Sequence, residues 1–96
     1  MIGCTTRAKE KGIECTIDRD WARRTYTGKC AVSGLDLVPH DGRGHWPLSP
    51  SVDRLDQTKG YTPENCRWVC MGVNALRGSG DDKIMILIAK AIASKN

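Results

Sequence analysis

No long apolar run interrupts this 96-residue sequence. The longest, Ile84 to Ala89, falls far short of the roughly 20 residues that a bilayer-spanning helix needs, and no basic segment followed by an apolar one opens the chain. These absences predict a cytoplasmic protein without a membrane partner. Internal repeats and low-complexity tracts are missing too, and phenylalanine is absent, leaving three tryptophans and two tyrosines as the aromatic material. A chain of this length suits one domain with a small core and has no room for a second. Acidic residues are the minority, 11 against 15 Lys and Arg, for a net charge of +4 and a sequence pI near 8.9. That balance favours a polyanionic partner mildly and does not require one. The five cysteines, Cys4, Cys15, Cys30, Cys66 and Cys70, are an odd number and do not form a secreted disulfide framework, so thiols buried as small hydrophobes are expected.

In chain order, Thr5 to Lys11 is rich in helix formers and Gly12 stops it. Asp18 is a candidate N-cap for a second helix over Arg19 to Tyr26, with Trp21 facing inward and Gly28 beyond its end. Cys30 to Val32 and Leu35 to Val38 flank a Ser33-Gly34 turn and predict a hairpin. Pro39 to Pro50 carries three prolines and two glycines and reads as a loop, and it holds both histidines, His40 and His45. After Arg77-Gly78-Ser79-Gly80, Asp81 or Asp82 caps a last helix reaching about Ser94. Ile84, Leu87, Ile88, Ala91 and Ile92 recur on one face of that helix, a stripe of the kind that builds a core.

The stretch from Ser51 to Asn74 organises the rest. Val52 to Leu55 reads as a strand, Cys66 to Val69 as a second, and a helix bearing Asn74 and Arg77 follows. In the connector, Gly60 can take a positive φ, Pro63 fixes the chain after Thr62, and Asn65 suits hydrogen bonds to free loop backbone. Asp53 and Asn74 offer two oxygen donors to a hard divalent cation. Asp53 and Asp56 with Arg54 between them also read as a charge-paired surface strand.

Ser-Val-Asp-Arg-Leu-Asp, Lys-Gly-Tyr-Thr-Pro-Glu-Asn-Cys-Arg-Trp-Val-Cys and the following Val-Asn resemble the small phage-type HNH endonucleases, members of the ββα-metal (His-Me finger) nucleases. The likeness runs more weakly over residues 7–93. It implies one divalent ion, Mg²⁺ or Mn²⁺, on Asp53 and Asn74, with Asn65 fastening the loop. At the family's usual general-base histidine this chain has Arg54, a poor base at neutral pH and better suited to hold a phosphate. The proton acceptor is then sought first at His45, then at His40 or Asp56; Asp56 is alternatively a second metal ligand or a partner for Arg54. The two Cys-x-x-Cys zinc pairs of many relatives read here Cys30 with Ser33 and Cys70 with Val73, so no complete structural zinc site is expected.

The resulting expectation is an α+β protein of one HNH-like domain over residues 1–96. Its ββα core spans about 29–78, with short β-hairpins, N-terminal helices and a C-terminal amphipathic helix at about 81–94. The resemblance implies a metal-dependent endonuclease that hydrolyses DNA phosphodiester bonds, with Arg54, His45 and Asp56 in catalytic positions. Arg43, Lys59, Arg67 and Arg77 would contact phosphates along the backbone and minor groove of double-stranded DNA. Two alternatives stand beside it: a nucleic-acid-binding module of the same fold that has lost catalysis, and a small protein-interaction adapter.

Overall fold

The computed structural model describes residues 12–39 and 46–96. The expected first helix, Thr5 to Lys11, and His40, Arg43 and His45 lie outside the described residues.

Helix α1 (Arg19–Thr25) starts where Asp18 caps it, its carboxylate accepting the Trp21 N–H at 2.9 Å, the N-cap geometry that satisfies an orphan donor. Trp21 is buried and turned toward the sheet, where it stacks on Trp68 with ring centroids 5.8 Å apart. A hydrogen-bond relay tightens this contact: the Trp68 Nε1–H donates to Thr25 Oγ1, whose hydroxyl donates to the Trp21 carbonyl. Tyr26 closes the cluster edge-on against Trp68.

The sheet consists of β1 (Pro50–Arg54) and β2 (Cys66–Cys70), antiparallel, with Val52 opposite Trp68 and Asp53 opposite Arg67. Side chains alternate between the two faces of a strand, so this register sorts the hairpin by chemistry. Val52, Trp68 and Cys66 pack with Ile17 and Trp21 on one face. The other face carries Ser51, Asp53, Arg67 and Val69, and Asp53 and Val69 are its fully buried side chains. A second apolar cluster, Cys30, Leu37, Val69 and Cys70, lies at the far end of β2.

From β2 the chain turns directly into α2 (Met71–Arg77), which ends at Gly78 with φ 54°, a conformation a side chain would strain. α3 (Asp82–Lys95) follows, capped by Asp81 through the Ile84 N–H at 3.0 Å. Three helices and a two-stranded sheet among the described residues make the predicted α+β architecture. No helix among them is long and apolar enough to cross a membrane.

Four local expectations change. The hairpin over Lys29 to Val38 is reduced to one bridge, Lys29 to Asp36, because Cys30 and Gly34 close a tight turn that leaves no room for a longer ladder. The apolar stripe of the last helix is not core: Met85 is the buried side chain of α3, whereas Ile84 is 53%, Leu87 64% and Ile92 56% exposed. Gly60 does not adopt a positive φ; it is needed because a Cβ there would lie 2.4 Å from the Glu14 carbonyl oxygen, where the Tyr61 N–H donates to that same oxygen at 2.7 Å. Cys30, Cys66 and Cys70 are free thiols, but Cys15 is disulfide-bonded.

Candidate functional site

β1 and α2 meet through two rungs. Ser51 and Asp53 are two apart on the strand and share its inner face, while Asn74 and Arg77 are three apart on the helix and share its strand-facing side. Asn74 donates its amide to Ser51 Oγ at 2.7 Å, and Arg77 donates from one terminal nitrogen to Asp53 Oδ1 at 3.0 Å. The second oxygen of Asp53 accepts from Arg67 Nε at 3.0 Å. Arg67 then reaches α3, gripping Asp82 with both terminal nitrogens at 3.0 and 2.8 Å. Two carboxylates and two guanidiniums therefore form a neutral quartet joining sheet, α2 and α3. In such an arrangement each charge offsets part of its partner's desolvation cost.

The electrostatics follow this geometry. Arg67's hydrogen bonds hold the Asp82 carboxyl below the ordinary carboxylate range, and Asp82 in turn raises Arg67 above the usual guanidinium value. Arg77 is also spoken for elsewhere, donating to the Arg54 carbonyl at 2.8 Å and the Leu55 carbonyl at 2.7 Å. Its Nε lies 3.1 Å from Asp82 Oδ1 but is not aligned for a hydrogen bond, so that contact is electrostatic.

The connector forms the outer wall. Asn65 is buried, accepts the Asp56 N–H at 2.9 Å, and donates to the Asp56 and Gly60 carbonyls at 3.0 and 2.8 Å. One side chain thus spans the loop, while Pro63 opens the short 3₁₀ turn Pro63–Asn65. Arg54 points to the opposite face from Asp53. It donates to the Gln57 and Lys59 carbonyls and to the Gln57 side chain, with its guanidinium 5.0 Å from the centre of the Tyr61 ring. Asp56 accepts the Thr58 hydroxyl at 2.6 Å and the Thr58 N–H at 2.9 Å, and these bonds lower its pKa. It does not pair with Arg54. Lys59 is exposed beside a cavity of about 350 Å³ that Glu14 and Glu64 also line.

The strand–helix face thus brings Asp53 and Asn74 into neighbouring rungs and adds Arg67 and Arg77 to them, whereas Arg54, Asp56 and Lys59 belong to the connector. Sequence reasoning missed Ser51 and Asp82. Ser51 carried a signal, since it stands two residues before Asp53 on the same strand face. Asp82 reads as a helix-start residue, and only the fold sets it against Arg67. Cys30 is a further perturbed group: burial works against its thiolate, but hydrogen bonds from the Ser33 side chain and from the Ser33, Cys70 and Val32 N–H groups outweigh it, bringing the pKa to about 7. Burial instead pushes the Cys66 thiol up to about 11.

A divalent ion on Asp53 and Asn74, as the resemblance implies, does not fit the donors as arranged. Both Asp53 oxygens accept guanidinium hydrogens and the side chain is 1% exposed, so a cation would meet two fixed positive charges. Asn74, half-buried, is tethered through its amide nitrogen alone. Among the described residues no group of three or more His, Cys, Asp or Glu could hold a metal ion.

Compared with known proteins, the chain matches no family model and no curated sequence. Among solved structures it is similar to the rare-cutting HNH restriction endonuclease PacI, with a TM-score of 0.66 and 22% identity over 95% of this chain and 72% of that one. The chain therefore has a fold similar to that of an HNH nuclease.

Proposed function

We propose that this protein is an HNH-type endonuclease that hydrolyses or nicks phosphodiester bonds of double-stranded DNA with one divalent ion, Mg²⁺ or Mn²⁺. The observation that carries the reading is the similarity of nearly the whole chain to an HNH restriction endonuclease, set beside the strand–connector–strand–helix motif of residues 51–74. The net charge of +4 agrees with a polyanionic substrate. In this reading Asn74 and Ser51 mark the edge of the site that solvent reaches, and Arg67 and Arg77 keep β1, α2 and α3 together beneath it. With Arg54 and Asp56 engaged in the connector, His45 and then His40 are the proton acceptors suited to neutral pH. Asp53, closed off by its ion pairs, is not free to hold the ion in this arrangement.

A second reading, DNA binding without cleavage, is favoured by the same two observations: Arg54 is fastened to loop carbonyls, and Asp53 is neutralised by Arg67 and Arg77. Supercoiled plasmid incubated with Mg²⁺ or Mn²⁺ separates the readings. The endonuclease reading expects nicked or linear product that EDTA abolishes, that Asn74→Ala reduces, and that His45→Ala reduces by at least about 100-fold, the low end for a lost general base. Binding without product under either metal selects the second reading. No DNA affinity even at low salt rejects both and leaves an adapter.

A further inference from the structure

The misfit between Asp53 and a divalent ion has a local cause, and the two guanidiniums do not share in it equally. Arg77 is fixed: its side chain is 5% exposed, and its terminal nitrogens also donate to the Arg54 and Leu55 carbonyls at 2.8 and 2.7 Å. Arg67 is 17% exposed and shared, giving Nε to Asp53 and both terminal nitrogens to Asp82, which is 41% exposed at the start of α3. Its grip on the buried carboxylate is therefore the smaller part of its bonding. The Nε of Arg77 adds an independent observation. It is buried, has no hydrogen-bond partner, and lies 3.1 Å from Asp82 Oδ1. A buried donor left unmet costs free energy, so Asp82 has a second guanidinium nitrogen within reach once it lets go of Arg67.

We propose that Arg67 is a removable cover on Asp53, a built-in cation that keeps a divalent ion out, whereas Arg77 is the permanent partner. When Arg67 is withdrawn, Asp53 Oδ2 loses its hydrogen-bond donor and becomes free. Asp82 then closes onto the Arg77 Nε–H, and α3 stays tied to α2 through that bond. An ion of the Mg²⁺ or Mn²⁺ kind keeps several of its waters and is held by one or two carboxylates, so a freed Oδ2 suffices to seat it. With Arg67 in place the same oxygen is spent, and the ion meets two positive charges instead of one. The choice of ion rests on the endonuclease reading; the residue that controls its entry goes beyond it.

Titration of the isotope-labelled full chain with Mn²⁺ alone, read by paramagnetic broadening of backbone amide signals, tests this. In wild type the Asp53 amide should broaden no earlier than the amides of exposed acids such as Asp20 and Asp36. Arg67→Gln and, separately, Arg67→Met should broaden it at a Mn²⁺ concentration lower by at least about 10-fold, because a fixed positive charge beside the carboxylate is gone. Far-UV circular dichroism should be unchanged in both, and adding Asp53→Asn to either should abolish the gain. An Asp53 amide that broadens first in wild type overturns the proposal, and so does a folded Arg67 variant without the gain. Loss of the fold in both variants overturns it as well, since a removable cover cannot be what holds the sheet together. The titration contains no DNA, so its result stands whether or not plasmid is cleaved.

Discussion

Replacing Asp53 by alanine should unfold this protein more readily than any other single loss of a carboxylate. The Asp53 side chain is 1% exposed and neutralises two guanidiniums that are themselves 5% and 17% exposed. Removing it takes from Arg77 its hydrogen-bonded carboxylate, leaving the Arg54 and Leu55 carbonyls and the electrostatic contact with Asp82, and leaves Arg67 with Asp82 alone. Each lost charge-assisted hydrogen bond is worth about 1.5–3 kcal/mol, and breaking a buried pair from one side costs about 3–5 kcal/mol; the two routes agree. For a domain of this size that lowers Tm by at least about 12 °C. Asp82→Ala removes a side chain that is 41% exposed, so screening holds its effect to about 1 kcal/mol. Urea unfolding followed by tryptophan emission measures both. Asp53→Ala with Arg77→Ala should lose less than the sum of the single variants, because the second change removes the buried charge that the first left without its hydrogen-bonded carboxylate. A loss below about 1 kcal/mol for Asp53→Ala, or strict additivity in the double variant, would refute the quartet as a stabilising unit. The same arithmetic bears on nuclease assays, since lost cleavage in Asp53→Ala reports chemistry only where the variant is shown to be folded.

Three further outcomes follow from particular contacts. Gly60→Ala should destabilise by about 1–3 kcal/mol, as overpacking does, because its Cβ would press on the Glu14 backbone; a neutral result in urea would mean that residues 14–17 do not hold the connector. Asn65→Ala removes three side-chain hydrogen bonds and should cost about 2–4 kcal/mol through the buried groups left unmet, with protease cutting between Asp56 and Tyr61 as the local readout. Thiolate absorbance at 240 nm should show a step near pH 7 that Cys30→Ser abolishes and a later one near 11 from Cys66. Because the folded Cys30 value lies below the ordinary one of about 8.5, its contribution to stability is complete above that pH and fades as pH falls through 7; stability flat from pH 7 to 9 in wild type and Cys30→Ser alike would contradict this.

Local chemistry made much of the fold legible. Asp18 caps α1, Trp21 turns inward, and both central strands and α2 stand where alternation and turn residues put them, because each depends on neighbours within a few positions. The site was legible in its parts and not in its pairing. Arg67 and Arg77 read as phosphate contacts, since nothing in a linear sequence says that residue 67 falls opposite 53 or that 77 faces the strand; register and helix docking supply those facts. Arg54 read as a substitute catalytic group, yet the curl of residues 57–59 brings two carbonyls to it. Periodicity grouped Ile84, Leu87 and Ile88 correctly and was silent on whether anything in the same chain lies against them.

The two-faced hairpin has a thermodynamic consequence. One side of the same ten residues is held by Trp21 and Trp68, the other by Asp53, Arg67 and Arg77. Cooling weakens apolar association, whereas warming eases the desolvation of ions, and sulfate strengthens burial while screening exposed charge. Cold therefore weakens both faces, whereas sulfate strengthens the tryptophan face and leaves the buried Asp53 pairs little screened, so added sulfate rather than temperature separates the two sides of one strand pair.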